Sequence, residues 1–62
     1  MSRILTNNAL GFQKMPEGYN LWLYDEMHYV WEEIATEIES DVHWDKWAVY
    51  RGAKKHAEKE TQ

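Results

Sequence analysis

Between residues 21 and 39 the apolar positions Leu23, Met27, Val30, Trp31, Ile34 and Ile38 recur at steps of three and four. At about 100° per residue this spacing gathers them on one side of a helix, with Tyr24 and Ala35 on its flank. The pattern predicts a first helix over 21–39, capped by Asn20. Ser40 and Asp41 carry side-chain oxygens suited to the orphan amides of a new helix start. A second helix is therefore expected over 42–58, followed by a frayed tail at 59–62. Asp41 and Asp45 fall near its start and Lys54, Lys55 and Lys59 near its end, as the helix dipole favours. Trp44, Trp47, Tyr50 and His43 gather on one side of this helix, and Val42, Val49, Ala53 and Ala57 extend the apolar surface round it. Gly52 reads as a weak interruption, costing about 1 kcal/mol relative to alanine.

Residues 1–19 show no sustained period and read as an irregular arm. Within it, RILT suits a short extended piece, while TNNALGF and MPEGYN hold chain-turning residues. Pro16 restrains its own φ and disfavours a helical Met15. The expected fold is all-α: one small domain built as a helical hairpin with an irregular N-terminal arm. A hairpin covers only part of the apolar surface, so homodimerisation into a four-helix arrangement is one way to complete it.

Composition narrows the class. The chain has 62 residues, room for one domain with limited burial. Apolar residues make up 44% of it and four are tryptophans, which excludes the usual disordered composition. The absence of cysteine excludes disulfides and thiolate metal sites. No apolar run reaches membrane-span length, and MSRILTNNALGF lacks the apolar centre of a secretory signal, so a cytoplasmic protein is expected.

Charge is unevenly spread. Residues 21–45 carry eight acids and no Lys or Arg, whereas residues 46–62 carry five bases and two acids; the whole chain is at −4. An acidic segment of this kind fits an electropositive partner. On the helical reading Trp22 and Tyr29 lie opposite the apolar stripe, beside Glu26, Glu33 and Thr36. Three coverings compete for them: the arm through Ile4, Leu5, Leu10 and Phe12, a partner or second subunit, or partial exposure to water. Trp22, Glu26, Tyr29 and Glu33 are thus the candidate partner-binding residues, with the aromatics as anchors and the acids as rim.

The expected function is a small acidic protein–protein interaction module, an inhibitor or accessory factor that meets an electropositive protein surface. Two alternatives stand beside it: a homo-oligomeric structural module with no separate client, and a nucleic-acid mimic or small nucleic-acid-associated regulator. Direct nucleic-acid binding is disfavoured, since Arg51, Lys54, Lys55 and Lys59 form only a small basic patch. Asp25, His28 and Glu32 have helical ligand spacing, but DEMHYVWE lacks the HExxH and ExxH patterns, so no metal or other cofactor is expected. Ser40, His43 and Asp45 are familiar catalytic types better used in a turn and a helix start. His56 reads as a polar residue in the last helical turns. With no Gly-rich phosphate cradle and no nucleophile turn, an enzyme is not expected.

Overall fold

The computed structural model describes residues 3–60. The stretch expected as a first helix forms strands and turns. Strands β1 (Arg3–Leu5), β2 (Tyr19–Tyr24), β3 (His28–Glu33) and β4 (Ile38–Glu39) lie side by side in chain order, each antiparallel to the next. One helix, α1 (Lys46–Glu60), follows them. The fold is mixed α/β, which corrects the all-α helical hairpin and with it the four-helix completion.

The physical reason lies in β2 and β3, whose sequences YNLWLY and HYVWEE are dense in aromatic and branched side chains that suit a pleated surface. Their register pairs Tyr19 with Glu33, Leu21 with Trp31 and Leu23 with Tyr29 on one face. Asn20, Trp22 and Tyr24 pair with Glu32, Val30 and His28 on the other. Asp25, Glu26 and Met27 close this hairpin, and Asp25 has a left-handed φ of 54°. Glu37, in the turn between β3 and β4, has φ 61°. Both positions fall inside the expected helix, yet a right-handed helix cannot hold a left-handed residue.

The arm is ordered by its bonds to β2. RIL is a strand, as its extended reading anticipated. Beyond it the Thr6 amide donates to the Leu21 carbonyl at 2.9 Å. Asn7 Oδ1 accepts the Leu21 amide at 2.7 Å, so a side chain continues the ladder where the backbone departs. A short 3-10 helix, Asn7–Leu10, then delivers Leu10 to the core. Gly18, at φ 87°, completes a turn in which the Tyr19 amide donates to the Pro16 carbonyl at 3.1 Å. Glycine fits that third turn position because it has no Cβ to clash.

After β4 the chain keeps to the edge of β3. The Ser40 amide donates to the Trp31 carbonyl, and His43 exchanges both backbone bonds with Tyr29. Between these contacts Asp41 and Val42 together oppose Val30, a β-bulge that takes up one extra residue on this edge. The helix start is then set by Asp45, whose Oδ1 accepts the Trp47 amide at 3.0 Å. Neither Ser40 nor Asp41 is the cap, and α1 begins later than its apolar pattern implied.

Helix α1 packs chiefly against β3. Val49 and Ala53 are buried and Tyr50, His56 and Ala57 half-buried, while Arg51, Lys54, Lys55, Glu58 and Lys59 are exposed. Leu10, Leu21 and Val49 form the buried centre, with Ala9, Met15, Tyr29, Trp31 and Tyr50 around them. At Gly52 an added Cβ would sit 3.2 Å from Trp31 Nε1. Gly52 is therefore a point of close helix–sheet approach, while α1 continues through it. The helix includes Lys59 and Glu60; the rest of the expected frayed tail, and positions 1 and 2 of the arm, lie outside the described residues.

Two substitutions test this arrangement. Glu37→Gly is expected to raise stability by roughly 0.5–1 kcal/mol in denaturant unfolding, because it relieves a left-handed residue. The helical alternative requires a loss of about 1 kcal/mol, the opposite sign. Gly52→Leu is expected to cost about 1–3 kcal/mol despite leucine's better helix propensity, because the new side chain must displace the Trp31 indole. Unchanged or increased stability would contradict the close approach.

Candidate functional site

The sheet has two unlike faces. On the face away from α1, a polar network crosses all four strands. Arg3 lies over the Trp22 ring, 3.8 Å from its centroid. Its Nη1 donates to Glu39 Oε2 at 2.6 Å and its Nη2 stands 3.8 Å from Glu32 Oε2. Trp22 Nε1 donates to Glu32 Oε1 at 2.7 Å, and the Tyr24 hydroxyl donates to Glu39 Oε1 at 2.9 Å. Glu32 is nearly buried, so its oxygens need these donors. This face is internally satisfied, and Trp22 is covered by Arg3 of the arm.

The four expected partner residues do not share a surface. Trp22 belongs to the network, whereas Tyr29 points to the opposite face and packs on the core. Glu33 is also on the helix side, where it accepts the Thr36 hydroxyl at 2.6 Å. Glu26 is exposed in the hairpin turn. A helix would have aligned Trp22 and Tyr29, seven positions apart; a strand puts an odd separation on opposite faces.

The weak metal-ligand candidates Asp25, His28 and Glu32 are divided in the same way. Asp25 Oδ2 and His28 Nδ1 approach to 3.9 Å across the hairpin turn, but Glu32 is held by Trp22 and Arg3. Among the described residues no three His, Asp or Glu side chains converge on a metal-sized site. Ser40, His43 and Asp45 each hold backbone. Ser40 Oγ accepts the Trp31 amide, His43 Nδ1 accepts the Asp45 amide, and Asp45 caps α1. His56 meets the Tyr19 hydroxyl through Nδ1 and lies 4.7 Å, centroid to centroid, from the Trp31 ring. Arg51, Lys54 and Lys55 line a shallow hollow on the outer side of α1, interrupted by Glu58.

A different surface gathers where the β2–β3 turn meets the start of α1. Trp44 is 67% exposed, Met27 59% and Trp47 40%. With Glu26, Tyr29, Asp45 and Lys46 they line an open groove of about 330 Å³. A second hollow, formed with Asp25 and His28, continues it past Trp44, Met27 and Glu26. Local folding explains the position. The bulge and the Asp45 cap leave Trp44 outside the helix, its ring stacked on His43 at 5.8 Å, while Trp47 in the first turn faces Tyr50 edge-on at 6.2 Å. Of the expected residues, Glu26 and Tyr29 belong to this groove. Trp44, Trp47 and Met27 were missed as a set; reading Asp45 as the N-cap is the signal that would have freed Trp44 from the helix.

The groove is acid-rimmed. Among the described residues, the Arg or Lys ion pairs made by acids of the 21–45 segment involve only Glu32 and Glu39. Asp25, Glu26 and Asp45 therefore face the groove with Lys46 as its one adjoining fixed cation.

No helix among the described residues is long and apolar enough to cross a membrane. No family model matches the chain, and no curated protein or solved structure matches it either.

The Trp22 assignment has a direct test. Trp22→Phe keeps an aromatic ring but deletes the indole donor to nearly buried Glu32, and is expected to cost about 1–3 kcal/mol in chemical unfolding. A variant as stable as the parent would mean that the Trp22–Glu32 bond contributes nothing to the fold.

Proposed function

We propose that this protein is an interaction module that docks a basic segment of a partner protein into the groove formed by Trp44, Trp47 and Met27. The observation that carries the reading is the coincidence of exposed aromatic surface with carboxylates not paired to Lys or Arg. Trp and Met are enriched at the centres of protein interfaces, and Trp among their energetic hot spots. Scattered apolar exposure needs no explanation, but here three large side chains adjoin along one groove. Asp25, Glu26 and Asp45 supply the polar rim and draw in positive charge.

The groove replaces the acidic helix as the contact surface. Its two sides come from separate elements, the β2–β3 turn and the start of α1, each held by backbone bonds that a ligand does not need to form. Such a surface binds with little ordering cost of its own. The rim also predicts salt sensitivity, because exposed charges are screened at physiological ionic strength.

Titration with a mixed Lys/Arg-rich peptide at low salt tests the proposal. Binding is expected to weaken as salt rises and to fall by at least about tenfold in a Trp44→Ala/Trp47→Ala variant with an unchanged far-UV spectrum. No binding at low salt, or equal binding by the variant, would overturn it. Self-association on concentration, abolished by the same double substitution, would assign the groove to a second copy instead.

A further inference from the structure

The two tryptophan-bearing surfaces of this protein have related chemistry. On the sheet face, Trp22 offers its ring to a guanidinium, Glu32 and Glu39 supply carboxylates, and Tyr24 adds a hydroxyl. At the groove, Trp44 is 67% exposed with one side of its ring against His43, and Glu26, Asp25, Asp45 and Tyr29 line the two hollows beside it. In the first setting the occupant is Arg3. In the second, among the described residues, no Arg or Lys lies within ion-pair distance of the three carboxylates.

We infer that the groove is an arginine site: the anchor of the partner's basic segment is a guanidinium stacked on Trp44 and hydrogen-bonded to Glu26. This rests on the docking reading above and specifies its ligand. Two features select arginine over lysine. The groove is open, so it presents a flat ring without enclosing a compact ammonium. A planar guanidinium can lie against such a ring while its edge donates to a carboxylate; an ammonium has no plane to stack and is more strongly hydrated. Carboxylates also line the same hollows as the Trp44 ring, and Arg3 shows what a guanidinium does in such company: it lies over Trp22 while it reaches Glu32 and Glu39.

Roles within the groove follow. Trp44 supplies the stacking surface. Glu26 is the principal acceptor, because it lines both hollows and makes no hydrogen bond or ion pair within the described protein. Asp45 has one oxygen committed to the Trp47 amide and contributes charge through the other. Met27 and Trp47 pack against the aliphatic stem of the arginine.

The test uses the full chain and three short Gly/Ser peptides, identical except that they carry arginine, lysine or citrulline, the neutral isostere of arginine. Each is titrated at low salt while the tryptophan indole N–H signals are followed by NMR. The arginine peptide is expected to shift the Trp44 and Trp47 signals and to leave Trp22 in place. The lysine peptide should bind at least about threefold more weakly, and the citrulline peptide more weakly still. Trp44→Leu and Glu26→Gln, at exposed positions outside the core, should each weaken the arginine peptide by about threefold to thirtyfold. Equal binding of arginine and lysine peptides, still lost on Trp44→Leu, would overturn the arginine assignment and leave the docking reading standing. Failure of both charged peptides to bind would overturn both.

Discussion

The packing of Trp31 between the sheet and the helix is the contact on which the rest of the structure depends. Its cross-strand neighbour is the fully buried Leu21; its ring meets Tyr19 at 5.5 Å and His56 at 4.7 Å, and it lies where a Cβ on Gly52 would intrude. Its backbone also receives β4's continuation through Ser40. In so small a domain few residues are fully buried, so a large ring that touches strand, helix and edge sets their mutual position. Once Trp31 points to the helix, strand alternation sends Val30 and Glu32 to the other face. That alternation builds the Arg3 network. The paired backbone bonds of His43 with Tyr29 then bring the start of α1 beside the β2–β3 turn, which forms the groove.

The sequence carried two conflicting periods over residues 21–39. Leu23, Met27, Val30, Trp31, Ile34 and Ile38 match a helix, while Leu21 and Leu23 alternate with Asn20 and Trp22 as a strand does. The helical pattern is longer, but three of its members, Met27, Ile34 and Ile38, are exposed and Leu23 is only half-buried. The better guide was residue type. Aromatic and branched side chains crowd 19–24 and 28–33, and Asp25-Glu26 between them is turn-like. By contrast, the helical character of the C-terminal third was legible, because Val49, Ala53 and Ala57 recur at one face with lysines opposite. The extended RIL and the turn at Pro16–Gly18 were legible for local steric reasons. The union of Asn7 with Leu21 was not, since a side chain standing in for a strand leaves no periodic mark.

The candidate site was partly visible for a related reason. Acid content and aromatic excess are properties of composition, and both survive a change of secondary structure. Which aromatic residues remain available does not survive it. Under a helix Trp22 was the unexplained ring; under a strand it is the base for Arg3, and the exposed role passes to Trp44. Glu26 stays exposed because the polar side of a helix and the tip of a hairpin both face water. The acids likewise divide by geometry. Glu32 and Glu39 meet donors across the sheet, whereas Asp25, Glu26 and Asp45 stand at the end of the molecule where the described chain brings no arginine.

That division bears on how tightly the proposed docking could hold a partner. Arg3 is bound by its own chain, so its association carries no loss of translational freedom, and its carboxylates also receive Trp22 and Tyr24. An incoming arginine at Trp44 must offset that loss, while exposed ion pairs contribute only about 0–1 kcal/mol and an exposed cation–π contact about 0.5–1 kcal/mol. One guanidinium therefore binds weakly on its own. The two hollows on either side of Trp44 share Glu26 and Met27, which gives a basic segment two adjoining places to rest. A chain with positive side chains at short spacing can occupy both, and the second contact then forms at high effective concentration. Under the proposed docking, these magnitudes favour a segment that carries several positive side chains over one that carries a single arginine.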